Sequence, residues 1–182
     1  MDSLRGQLLI ATPALQDPNF ARTVVLVGEH TEEGALGVVL NRPSDTPVAE
    51  AVPDLADLVE VASPVHVGGP VQPSAVLVLA EFDGPGDGRQ LITEEVGFVS
   101  IEDDGHAEVA AAALRARVYA GYAGWGPGQL EDELERDDWI VTTCRAEDVF
   151  TDDADALWSR VLDRMGGRYR LVARMPADPS MN

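Results

Sequence analysis

The sequence predicts an α+β fold. Short apolar runs, continuous or alternating with period two and bounded by Gly or Pro, follow one another through the first half. Segments with helical spacing interleave with such runs in the second half, and neither an internal repeat nor a heptad pattern organises the chain. At 182 residues, 45% of them apolar, the chain supports one buried core and is short for two. Residues 1–175 read as a single domain and 176–182 as a frayed tail.

Eight strands are expected. They are Gln7 to Ala11, Thr23 to Val27, Ala35 to Asn41, Pro64 to Val67, Ala75 to Phe82, Gly97 to Ile101, Arg117 to Ala123 and Trp139 to Thr143. Gly34 before the third suggests a hairpin. Four helices are expected. Thr46 to Glu60 must break or restart at Pro53. His106 to Arg115 is alanine-rich, with Asp104 as its N-cap. Pro127 to Arg136 places Leu130 and Leu134 on one face, and Asp153 to Met165 carries a stripe of Leu157, Val161 and Met165 before stopping at Gly166-Gly167. Phe82 to Arg89 has loop composition.

Charge excludes several functions. The formal net charge is −19 and all 13 basic residues are arginine. Without lysine there can be no lysine Schiff base, P-loop lysine or kinase strand lysine. So acidic a surface repels phosphate backbones and anionic lipid, and no direct nucleic-acid binding is expected. The longest clean apolar run, Ala75 to Ala80, falls far short of the roughly 20 residues a membrane helix needs. A single cysteine, Cys144, rules out an internal disulfide, and with a start unlike a signal peptide it suggests the cytoplasm. Charge is uneven: residues 156 to 175 carry Arg160, Arg164, Arg168, Arg170 and Arg174 against Asp163 alone, which reads as a solvated face or a docking patch for an acidic partner.

Chemical motifs are sparse. His30, His66 and His106 are scattered and Cys144 is alone, so neither a metal nor any other cofactor is expected. Cys144 reads as a small apolar residue, although Arg145 beside it could lower its pKa. The Gly-rich stretch Gly121 to Gly128 joins a strand to a helix, but its spacing is not a dinucleotide fingerprint, so a tight turn holding Trp125 is expected. Gly68-Gly69-Pro70 reads as backbone with positive φ and close packing, and Arg42 as a local partner for carboxylates or a reader of an anionic ligand.

Several of these segments together resemble the YqgE/AlgH family of bacterial proteins. The match is carried by Pro13 to Phe20, Glu29-His30, Gly34 to Pro43, Gly68-Gly69-Pro70-Val71, Gly121 to Gly126 with Gln129-Leu130-Glu131, and Trp139, over about Leu8 to Phe150. The resemblance implies a compact α+β fold with a bent or barrel-like, mostly antiparallel sheet flanked by helices. It implies no assigned activity; AlgH is named for a proposed role in regulating alginate synthesis. Its loops suggest a pocket of His30, Arg42, Gly68, Gly69, Trp125 and Gln129 in a regulatory domain that binds a small molecule or a protein partner. The alternatives are a hydrolase or transferase using His30 as general base, with other catalytic residues unknown, and a purely structural interaction module.

Overall fold

The fold is described from a computed structural model, for residues 2–84, 90–101 and 111–177. Ten strands form one strongly curled, half-barrel sheet: β1 (Gln7–Ala11), β2 (Val24–Thr31), β3 (Gly34–Val39), β4 (Pro43–Pro47), β5 (Pro64–Val67), β6 (Val71–Phe82), β7 (Gln90–Leu91), β8 (Val96–Val99), β9 (Ala113–Trp125) and β10 (Trp139–Thr143). The order runs β10-β1-β2-β3-β9-β6-β8-β7, with β5 on β9 and β4 on β5. Pairing is antiparallel throughout except where β5 lies parallel to β9. Helices α1 (Val48–Ala51), α2 (Gln129–Glu135), α3 (Ala146–Val149), α4 (Ala154–Met165) and α5 (Tyr169–Ala173) flank it, with a 3₁₀ turn at Pro53–Leu58. Among the described residues no helix is long and apolar enough to cross a membrane.

The period of two explains the layering. Leu8, Ile10, Val24, Leu26, Val38 and Leu40 point into the concave core against Leu157, Trp158, Val161 and Leu162 of α4. The alternate residues Leu9, Ala11, Val25, Val27 and Val39 point outward, where Trp125, Leu130 and Trp139 cover them. Strands β1 to β3 are therefore buried on both faces, which is why they read as continuous apolar runs. On the other half, Val78, Ala80, Phe82 and Val118 face Val48 and Leu55. Helix α4 starts as expected, with the Asp153 carboxylate accepting the Ala156 N–H at 3.0 Å.

The structure departs from the sequence reading in several elements. β4 and β7 were not expected, and neither was α5. Of the alanine-rich helix expected at 106–115, residues 106–110 and its cap Asp104 lie outside the described residues. Residues 111–112 are helical, but Ala113, Leu114 and Arg115 already belong to β9, where Arg115 pairs with Glu81 of β6. Pro53 does divide its helix, leaving one α-helical turn before it and a six-residue 3₁₀ stretch from it onward. Residues 85–89 of the expected loop, and 178–182 of the tail, lie outside the described residues.

Candidate functional site

Three of the motif residues meet around α2. Trp125 ends β9 and Trp139 begins β10; their indole N–H groups both donate to one carboxylate oxygen, Glu133 Oε2, at 2.9 and 2.8 Å. Gln129 donates to the other oxygen of Glu133 at 3.0 Å and accepts the Gly126 N–H at 3.1 Å, fastening the start of the helix. Phe20 completes the group, with its ring 6.4 Å from Trp125 and 5.8 Å, edge on, from Trp139. Trp125 is 6% exposed and belongs to the core. The expected pocket needs an open face on this ring; instead Phe20 stacks against it.

His30 is engaged at both ring nitrogens. Its Nδ1 accepts the Leu4 N–H at 3.0 Å, so the ring proton sits on Nε2, which donates to Glu131 at 2.9 Å. No lone pair is left to take a proton from a substrate. The Glu131 carboxyl is held below its ordinary range, first by a backbone N–H bond and further by His30.

Arg42, Gly68 and Gly69 lie beyond Phe20. The Arg42 guanidinium donates to the carbonyls of Pro18 at 2.8 Å and Ala21 at 3.1 Å, so it holds the Phe20 loop by backbone acceptors and forms no ion pair among the described residues. Gly68 and Gly69 pass against β9. A Cβ on Gly68 would stand 2.3 Å from the Gly121 carbonyl oxygen, and one on Gly69, at φ +154°, 2.1 Å from Tyr122. Arg42 and Gly69 share a recess of about 50 Å³ with Asn19, Val39, Val67 and Pro70. That volume suits one or two water molecules. His30, Gly68, Trp125 and Gln129 are absent from its wall, so this recess among the described residues does not join all six.

A larger open cleft lies elsewhere among the described residues. A cleft of about 710 Å³ runs between the start of β1, the β7–β8 turn, the facing ends of β6 and β9, and the chain leaving β10. Arg5, Glu94, Glu95, Arg115, Arg145 and Glu147 line it above Gly6, Ile92 and Cys144. The three floor residues are buried and the six charged ones exposed. Arg115 pairs with Glu81 and lies 4.9 Å from the Phe150 ring; Arg145 reaches Glu147 at 3.4 Å, and Arg5 donates to the Leu91 carbonyl at 2.7 Å. Glu94 and Glu95 make no ion pair among the described residues. Sequence reading passed over this site because its walls lie up to 142 positions apart and no segment carries a motif. The one available signal was the Glu81–Arg115 cross-strand pair, legible only once β6 is paired with β9.

Cys144, His66 and Tyr119 are buried. Burial pushes the Cys144 thiol up to about 12; Asp148 adds to the shift and Arg164 opposes it, so the nearby arginine does not make a thiolate. His66, on β5, is lowered to about 4, first by burial and then by the Arg117 charge. It stands beside Tyr119, ring centres 5.4 Å apart, and burial raises the Tyr119 phenol as well. His66 Nδ1 and the Tyr119 hydroxyl have no hydrogen-bond partner among the described residues. Among the described residues no three His, Cys, Asp or Glu side chains converge to hold a metal.

The fold is thus an α+β domain whose half-barrel sheet is covered on one face by the aromatic layer and on the other by α4. The chain belongs to the AlgH-like family, whose profile matches residues 8–170. A UPF0301 protein of Streptomyces coelicolor is 44% identical to it, covering 100% of this chain and 97% of the relative. One from Thermobifida fusca is 42% identical over 99% of this chain and 96% of the relative. In structure the chain is similar to a protein of Corynebacterium diphtheriae, with TM-score 0.86, 27% identity and coverage of 96% and 94%. It is also similar to the AlgH protein of Pseudomonas aeruginosa, with TM-score 0.70, 31% identity and coverage of 96% and 95%. The family match extends past Phe150, where the motifs stopped, into α5.

Proposed function

We propose that the protein is a regulatory domain that binds a small polar ligand in the cleft between β1, the β7–β8 turn and the chain leaving β10. The cleft carries this reading: about 710 Å³, within the range of small-molecule sites, with arginines and glutamates over a small buried floor. Arg5 and Arg145 offer donors to an anionic group, and Glu94 and Glu95 offer acceptors to a cationic one. A ligand bearing both charges suits such a wall better than a polyanion, which the four glutamates and the net charge of −19 would repel. General-base catalysis by His30 is disfavoured, because its Nδ1 already accepts and its Nε2 already donates.

A thermal-shift screen over amino acids, short peptides and other zwitterionic metabolites tests the proposal. A ligand at 100 times its Kd adds about 2.7 kcal/mol of stability. At least one compound should raise the Tm of the wild type, and Arg145→Ala or Glu95→Ala should remove the rise without changing the unliganded Tm. No stabilising compound, or equal stabilisation of wild type and both variants, would overturn the cleft as the site.

A further inference from the structure

A second surface, sharing no residue with the cleft, stands out by charge. Between 164 and 177 the chain carries Arg164, Arg168, Arg170 and Arg174 and not one carboxylate, in a protein with 32 acids against 13 bases. Arg164 is spent inside: it grips the buried Asp148 at 2.8 and 3.0 Å. The other three are exposed and make no ion pair among the described residues. Asp137 acts on Arg168 without closing a pair, and the Arg168 guanidinium lies 5.1 Å from the Tyr169 ring. Arg5, Arg22 and Arg42 also form no ion pair, but each is held by a backbone carbonyl, whereas Arg170 and Arg174 have no such tie among the described residues.

Apolar surface lies among them. Helix α5 buries Ala173 and packs Tyr169 and Val172 on the core, which turns Leu171 and Met175 outward at 70% and 45% exposure. They are four apart and interleave with Arg170 and Arg174. Arg22 anchors this segment from the far end of the chain: its guanidinium donates twice to the Met175 carbonyl, at 3.0 and 2.9 Å, while stacking 4.0 Å over Trp158. The segment is thus presented on a fixed backbone.

We infer that the outer face of α5, formed by Arg168, Arg170, Leu171, Arg174 and Met175, docks an acidic segment of a partner protein that carries apolar residues between its carboxylates. Charge complementarity selects the acid, and Leu171 with Met175 selects a peptide over a bare polyanion. At physiological ionic strength the Debye length is about 8 Å, so the patch acts locally while the rest of the acidic surface is screened. Nucleic acid would demand a broader basic field and stacking rings, and the ring here, Tyr169, lies beneath Arg168.

Fluorescence anisotropy with a labelled peptide of alternating glutamate and leucine pairs tests this. Controls are a peptide with lysine for glutamate, a single-stranded RNA and anionic phosphatidylglycerol vesicles. The acidic peptide should bind the wild type, weaken as salt rises, and lose about tenfold or more in affinity to Arg168→Glu/Arg170→Glu/Arg174→Glu. Leu171→Ser should weaken it further without altering the salt slope. If the triple variant fails to fold, Arg170→Glu alone carries the comparison. The inference is overturned by no binding of the acidic peptide, by equal binding to the charge-reversed protein, by an unaffected Leu171→Ser, or by tighter binding of RNA or vesicles.

Discussion

The aromatic layer around α2 and the cleft below β10 contrast in how their polar groups are used. In the first, Glu133 accepts from Trp125, Trp139 and Gln129, His30 is bonded at both nitrogens, and Arg42 donates to two loop carbonyls. In the second, Glu94 and Glu95 make no ion pair among the described residues, and Arg5 and Arg145 each make one side-chain contact there. Polar groups satisfied internally hold a fold together; polar groups left open toward a cavity can recognise something else. The most motif-like residues of this chain are therefore its internal ties, and the open chemistry lies where the sequence is plain.

The largest expected break of this contrast is Trp125→Ala. It removes a buried ring and leaves Phe20 and Trp139 unsupported, at a cost of roughly 3–5 kcal/mol. For a chain of this size that is a fall in Tm of roughly 6–20 °C, readable by calorimetry. A loss near 1 kcal/mol would mean that the layer is not closed.

The interior next to β5 offers a pH test of about 3 kcal/mol in full. His66 has a folded-state pKa of about 4, below its ordinary 6.5. The unfolded chain therefore takes up the proton first as pH falls. The contribution of neutral His66 is complete above pH 6.5, is lost as pH drops toward 4, and changes no further below that. Denaturant titrations of wild type and His66→Leu should diverge over that window, with the wild type losing more stability in acid. Parallel pH curves would place His66 in contact with water.

Glu133→Gln sharpens the contrast at about 1–2 kcal/mol, since an amide oxygen can still accept from the two indoles but loses the charge. Chemical denaturation should show the loss with ligand stabilisation intact. At the small end, Cys144→Ser should cost about 1 kcal/mol and leave the cleft working, because its thiol is protonated at neutral pH. A variant that folds with unchanged Tm but no longer binds ligand would give the thiol a direct role.

The sequence made some of this architecture legible and hid the rest for definable reasons. Strands β1, β5 and β10 appear with the expected ends because apolar runs stop there at turn-forming or polar residues. β4 was hidden because Pro43-Ser-Asp-Thr-Pro47 has no apolar alternation; it pairs with β5 only at its two ends. Ala113 to Arg115 resembled helix by alanine content, yet cross-strand pairing to β6 overrides propensity. Gly68 and Gly69 both pack closely on β9, against Gly121 and Tyr122, but only Gly69 takes the positive φ expected of the pair. Glu133 could not be singled out among 32 acids, and the partner of Arg42 proved to be backbone, which leaves no mark in sequence.

The contrast is tested most directly by titrating ¹⁵N-labelled protein with the compound that gives the largest thermal shift. Arg5 to Gln7, Thr93 to Glu95, Arg115 and Thr143 to Glu147 should move, and the indole N–H resonances of Trp125 and Trp139 should stay in place. Movement of both indole resonances with Phe20 and Arg42, and silence in the cleft, would contradict the assignment and return the site to the aromatic layer.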